Sequence, residues 1–497
     1  MRKIKAILIL LPALFLAGCC VDEYGNVTIG KCEVKAVIQC NGDSCGNSLN
    51  SYTGTGNDVW SYKNSGNSNV NLTVSMANIA DKEITIVYTN EGSGYVTMPS
   101  IYIDKTFKNE IYPYEGIFNY LPDAVIDFEP DELIEQSDDL KLNQAPSYKV
   151  WNEGNKYNWR IHSCCGGGTR TSTLRKQLTV NGRTINLWVE DSEYANGGMD
   201  TARINYIASY INDIYTNVVS VAGEPWGAHK YLTLISSNQP LDIVFYNTGG
   251  SVGGYFTSAN NYVSKSNEAL VIFIHTRMDN GYTLATIAHE LTHAINFYQR
   301  YVLMGSGSDN KYKSFLEEMT AVMMEDVISS NISYNAVKNR YGNWLSTPLY
   351  HCSFGSEECS VYDMGGSFGS FLMRQYGIDF YKTLLRTSGS STDALDKAIK
   401  VYDDGGLVKA LRNWGASIAM FSTAPKGFGY PARSNDNGFS LEAFDGNTYR
   451  QYRKLPVSSP ATLAPNAHFP FLRKPTTNTY SEWFVVPKGV GVSIVVK

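Results

Sequence analysis

The sequence predicts an α+β chain: a central domain of mixed sheet and helix, then a mainly helical part, flanked by small β-regions. Three observations carry this reading. Short β-prone runs separated by Gly and Asn fill residues 70–103 and return from about 435 to the end. Strand and helix patterns alternate from 170 to about 280. Long apolar repeats at helical spacing then occupy 283–303 and 312–329. With 497 residues, 43% of them hydrophobic and 18% charged, the chain can build real cores, which excludes wholesale disorder; the length allows about three domains. Forty-two basic and 47 acidic residues give a net charge of −5, and no Lys/Arg block stands out, so a nucleic-acid partner is excluded.

Residues 1–18 read as a signal peptide rather than as fold. Arg2, Lys3 and Lys5 precede an apolar stretch from Ala6 to Ala17 that is too short for a membrane span. It ends Leu16-Ala17-Gly18-Cys19, which resembles the bacterial lipobox, in which the cysteine is acylated and becomes the mature N-terminus. The expectation is an exported lipoprotein of the cell envelope, at the outer membrane or cell surface rather than the inner membrane, held by lipid on Cys19. Loss of the three basic residues takes the charge from −5 to −8. Eight cysteines then remain, and an even count in an exported chain favours disulfides. Cys352 and Cys359 enclose a short loop and are expected to pair; the adjacent Cys164 and Cys165 are not.

Residues 41–72, rich in Gly, Asn and Ser, read as a tether. Ile84–Tyr88 and Tyr95–Met98 read as strands. A linker is expected between about 135 and 170, closing in Gly166-Gly167-Gly168. Gln177–Val180 and Thr184–Glu190 flank Asn181-Gly182, a strong hairpin turn. Ile204, Ile207, Ile211, Ile214, Tyr215 and Val218 mark a helix within 200–222. Strands are expected at Tyr231–Ser236, Leu241–Tyr246 and Ala269–Thr276, and further helices at 364–376, 378–386, 392–402 and 406–420. Trp483–Val486 and Val490–Val496 flank Pro487-Lys488-Gly489 and read as a terminal hairpin.

The chemistry concentrates in His289-Glu290-Leu291-Thr292-His293, inside the helical pattern of Leu284, Ile287, Ala288, Leu291 and Ile295. Residues four apart share a helix face, so both imidazoles can reach one metal ion, and Glu290 can reach a water on that metal. A catalytic zinc needs a third protein ligand and one open position. The next helix offers Glu317, Glu318, Glu325 and Asp326 among Phe, Leu and Met, where an unpaired charge is costly. Spacing alone does not choose among the four.

With these residues, the segment His289–Tyr298 followed by a glutamate on the next helix resembles the gluzincin metallopeptidases, and more closely the hyicolysin family of bacterial neutral metallopeptidases. The resemblance spans about 183–380 and includes Gly223-Glu-Pro-Trp-Gly227, Gly253-Gly-Tyr-Phe256 and Ser266-Asn-Glu268. It implies a zincin-type fold with one Zn²⁺ per chain on His289, His293 and Glu318, with Glu317 standing where the clan usually has Asn. It further implies Glu290 as general base. Tyr362, three residues before Gly365, would be the oxyanion donor, with His351 as the competing donor. The strand before the two-histidine helix would line the cleft and pair with substrate. The expected organisation is a signal peptide at 1–18, a tether and β-sandwich-like domain at 19–140, a zinc metallopeptidase domain at 170–430 and a C-terminal β-region at 435–497. The expected function is a membrane-anchored zinc endopeptidase acting on extracellular proteins or peptides. The alternative is an inactive metal-binding adhesin or scaffold, against which the intact Glu290 argues.

Overall fold

The computed structural model describes residues 51–104, 149–329 apart from 197, 264 and 306, 364–444 apart from 418, 419 and 421–423, and 456–497, with short strands at Cys19–Val21, Val27–Ile29 and Gln39–Cys40. Residues 1–18, His351, Cys352, Cys359 and Tyr362 lie outside the described residues. The chain is α+β, as expected.

After these short strands come β1 (Asp58–Lys63), β2 (Val70–Ala77) and β3 (Ile84–Asn90). In β2 the side chains of Leu72, Val74 and Met76 are buried while their neighbours face out, the mark of a strand with one wet face. β3 is buried along its whole length and so must be covered on both faces.

The central sheet starts earlier than the expected linker allows. β4 (Lys156–Arg160) pairs antiparallel with β5 (Thr169–Val180) and carries the buried Trp159, so part of that segment is an edge strand. Between them Cys164 and Cys165 are disulfide-bonded to each other, against expectation. Gly166, Gly167 and Gly168 follow at φ values of 103°, 57° and 76°, which turns the chain at once and leaves the adjacent pair in place. β5 turns into β6 (Arg183–Glu190) through Asn181 and Gly182, both at positive φ, as a two-residue hairpin requires.

Helix α1 (Thr201–Ala222) is capped by the Asp200 side chain and buries the expected isoleucine stripe. β7 (Leu241–Tyr246) follows, then the short β8 (Gly254–Phe256) and β9 (Leu270–His275). The sheet order is β8-β9-β7-β6-β5-β4; β6, β7 and β9 run parallel, and β8 closes one edge antiparallel to β9. No strand forms at Tyr231–Ser236, where single-residue bridges occur at Tyr231 and Leu234, the latter to Tyr262. The Ile235 and Ser236 carbonyls are taken by the His229 and Trp226 side chains, and β7 already has β6 and β9 on its two sides.

One face of the sheet packs on α1 and α2 (Asn280–Asn296) through Ile185, Leu187, Ile243, Phe245, Ile272 and Ile274. The other carries Trp159, Trp188, Val244, Tyr255 and Phe273. Beyond α2 come α3 (Ser314–Ser329), α4 (Gly366–Tyr376), α5 (Asp379–Arg386), α6 (Thr392–Lys400) and α7 (Gly406–Ala416). α4 approaches α3 closely enough that a Cβ on Gly366 or Gly369 would overlap Val322 or Met323, which accounts for the Gly-Gly-Ser-Phe-Gly run.

The C-terminal strands β10 (His468–Arg473), β11 (Thr479–Val486) and β12 (Val490–Val496) return to β1, β2 and β3. β12 inserts between β1 and β3, and β10 adds beyond β3; β11 pairs with β2 in a second sheet over the same core. The terminal hairpin is therefore not formed, since β11 and β12 lie in different sheets. The physical reason is burial: β12 is apolar and covered along its whole length and takes partners on both sides, whereas β11 keeps one face toward solvent. α7 packs on this sandwich through Ala416 against Val59 and Val495. His468 Nε2 donates to the Leu411 carbonyl at 2.8 Å, and Arg412 pairs with the buried Glu91 at 2.6 Å. Among the described residues no helix is long and apolar enough to cross a membrane.

Candidate metal centre

Helix α2 is capped by Asp279, whose carboxylate accepts from the Tyr282 amide at 3.0 Å. It lies between the sheet and α3, so nearly every side chain from Tyr282 to Asn296 is buried. Helical spacing brings the His289 and His293 rings to 4.9 Å between centroids. α3 crosses beside them and presents Glu318, also fully buried. Ligand atoms of His289, His293 and Glu318 lie within 4.8 Å of one another. His289 Nε2 stands 3.1 Å from one Glu318 oxygen and His293 Nε2 stands 3.4 Å from the other.

The outer nitrogens are held by the same helix that supplies Glu318. His289 Nδ1 donates to Glu325 at 2.6 Å, and His293 Nδ1 to Glu317 at 3.3 Å. An ionised carboxylate only accepts, so Nδ1 carries the proton in each ring and Nε2 is the nitrogen turned to the centre. Asn296 donates to Glu317 at 2.8 Å and to Thr320 at 3.0 Å, fixing the carboxylate that fixes the ring. Spacing had left four acids as candidates. Glu318 alone joins the histidine cluster, Glu317 and Glu325 back the rings, and Asp326 pairs with the buried Arg374.

The donor set, two imidazole nitrogens and a carboxylate, fits a borderline divalent cation such as zinc. His293 Nε2 and both Glu318 oxygens are buried and make no hydrogen bond, although they point at one another. Lone pairs converging in a dry site repel unless a proton or a metal lies between them. The electrostatics agree. Burial disfavours charge on His293, but Glu317 and Glu318 outweigh it and raise its pKa to about 10. Burial pushes the Glu318 carboxyl up, and His289 with His293 outweighs it and holds it at about 2. The centre draws positive charge, and a metal would take the place of the Nε2 proton.

Glu290, the next residue on α2, lies fully buried against the edge strand β8. Gly254 makes this fit possible: a Cβ there would stand 2.7 Å from Thr286 Cγ2 and 3.0 Å from Glu290 Cγ. Glycine at 254, Asn296 and the backing roles of Glu317 and Glu325 were not assigned from sequence. The seven-residue interval between Glu318 and Glu325, and the three-residue interval between His293 and Asn296, put each pair on one helix face and could have pointed to them. His275 is bound to Thr248, and His229 to Ile235; neither joins the cluster.

The family model described as Peptidase M30 matches residues 167–497. The chain belongs to the Peptidase M30 family. It is thus a chain of the metallopeptidase class, and the match runs through the helical part into the C-terminal strands, well past the stretch where the resemblance was drawn from motifs. A second model, a domain of unknown function, matches residues 39–103 in the N-terminal β-region. No curated protein matches. Among solved structures, an aminopeptidase N family protein from Idiomarina loihiensis is 10% identical, with 63% of this chain and 69% of that chain covered and a TM-score of 0.29. A TM-score that low carries no argument.

Proposed function

We propose that this member of the M30 family is a zinc-dependent endopeptidase of zincin type, held at the cell envelope by lipid on Cys19. The observation that carries the reading is the closed set of His289, His293 and Glu318 with Glu290 beside it against an edge strand. His289 Nε2, His293 Nε2 and Glu318 would hold one Zn²⁺. When bound, zinc polarises a carbonyl and lowers the pKa of its water to about 7. Glu290 takes a proton from the attacking water and returns it to the leaving amine nitrogen as the C–O bond forms and the C–N bond breaks. Tyr362 donates to the oxyanion. The substrate strand is better placed on β8 than on β9. β9 has both neighbours filled by β7 and β8, whereas among the described residues β8 has a free edge beside Glu290 for main-chain pairing with an extended peptide.

The test is Glu290→Gln assayed on an unstructured protein substrate, with zinc measured on the same preparation. Cleavage is expected to vanish while zinc stays bound. Unchanged cleavage removes Glu290 from the mechanism, and cleavage absent from the wild type with zinc bound returns the chain to a non-catalytic scaffold.

A further inference from the structure

A cavity of about 620 Å³ opens where the β5–β6 turn and the start of β7 meet residues 149–152. It lies on the sheet face opposite α2, because its floor residue Asn186 alternates in phase with Trp188 rather than with Leu187. β6 is three strands from β8, about 14 Å at ordinary strand spacing, so the cavity is separate from the metal centre.

Its floor departs from the rest of that face. Elsewhere the face is built of Trp188, Val244, Val271 and Phe273. Here it becomes a polar row across three strands: Gln177 donates to Asn186 at 2.9 Å, and Asn186 donates to Asp242 at 2.8 Å. The Trp188 indole donates to the same Asp242 oxygen at 2.8 Å. Asn186 and Asp242 are 1% and 2% exposed. Stability alone favours apolar residues at such sites, since a buried polar row is costly and must be satisfied member by member. Both amide hydrogens of Gln177 are spent, on Asn186 and on the Trp151 carbonyl at 3.0 Å, so it offers a ligand its oxygen.

The walls define what that ligand is. Asn152 and Asn238 bring exposed amides to the rim, and the half-buried Trp151 brings an indole. The charged groups are engaged within the protein: Arg183 pairs with Glu224 at 3.2 Å and donates to the Gln239 and Trp226 carbonyls, Lys149 donates to Tyr157 Oη at 2.8 Å and to the Asn267 carbonyl at 3.2 Å, and Asp242 accepts from Asn186 and Trp188. Amides that both donate and accept, beside one aromatic surface and with the charges of Lys149 and Arg183 balanced by those of Glu224 and Asp242, match a neutral molecule rich in hydroxyls with an apolar C–H face. The volume lies within the range of small-ligand sites. We propose that this cavity binds a neutral saccharide and gives the peptidase a second point of attachment to a glycan-bearing target.

The experiment uses the full chain against immobilised neutral hexasaccharides of glucose, mannose, galactose and N-acetylglucosamine, with a sialylated glycan and an unstructured peptide as controls. The Asn152→Ala/Asn238→Ala double variant changes two exposed side chains and leaves the core intact; Trp151→Ala is the second variant. Binding of at least one neutral glycan with a Kd of about 1 mM or tighter is expected. It should weaken roughly tenfold or more in the double variant, with peptide cleavage unchanged. No binding of any neutral glycan, binding of the controls alone, or undiminished binding in the double variant overturns the proposal.

Discussion

At the residue scale the proposed centre depends on carboxylates that stand outside the cluster of His289, His293 and Glu318. Glu325 accepts from His289 Nδ1 at 2.6 Å, so Glu325→Ala removes the group that fixes that ring. Zinc affinity in a chelator competition is expected to fall roughly 10- to 100-fold, with most of it kept in Glu325→Gln, which still offers an oxygen. Gly254→Ala tests the seat of Glu290. Its Cβ crowds Thr286, the Phe273 carbonyl and Glu290 Cγ, so cleavage is expected to drop roughly tenfold or more while zinc remains bound. Equal activity in both proteins contradicts a close fit of Glu290 against β8. His289, Glu290 and His293 were legible because chemistry and helical spacing fall within five residues. Glu317 and Glu318 differ by only about 100° around a helix, so periodicity could not divide their roles. Gly254 was not legible as a packing requirement, because the side chains it spares arrive from 32 and 36 residues later in the chain.

At the scale of elements, α3 supplies Glu317, Glu318 and Glu325, and its position is set by α4. Gly366→Ala forces a Cβ onto the branched Val322 side chain. Overpacking of this kind costs about 1–3 kcal/mol, so a lower melting temperature together with weaker zinc retention is expected; loss of neither means that α4 does not position α3. The helices were legible because each has an apolar stripe in register with 3.6 residues, as α1 shows with Ile204, Ile207, Ile211 and Ile214. The strands were legible where they alternate or where a turn such as Asn181-Gly182 punctuates them. Tyr231–Ser236 has the composition of a strand, but the adjacent β7 already has β6 and β9 on its two sides. Lys156–Arg160 has the composition of a linker but a tryptophan that the sheet buries.

At the scale of the molecule, the ends of the chain close one sandwich, and α7 ties it to the helical part. Sequence proximity made β11 and β12 look like a hairpin, because pairing across some 400 residues leaves no local trace. His468 sits at this junction, fully buried, with Nε2 donating to Leu411. Burial lowers its pKa from about 6.5 to about 4, the carbonyl partner offsetting only part of that. Because the folded pKa is depressed, the stabilisation is complete above about pH 6.5 and is lost as pH falls toward 4. The loss is on the order of 3 kcal/mol. Denaturant melts of wild type and His468→Gln should diverge across that window, with the flatter profile in the variant; parallel profiles contradict a neutral His468 in the fold.

Metal content tests the reading of the centre most directly. Elemental analysis of protein purified without chelator should give about one zinc per chain in the wild type and close to none in Glu318→Ala. Zinc-free wild-type protein, or a Glu318→Ala variant that keeps its full complement, would contradict the assignment of His289, His293 and Glu318 as the zinc site.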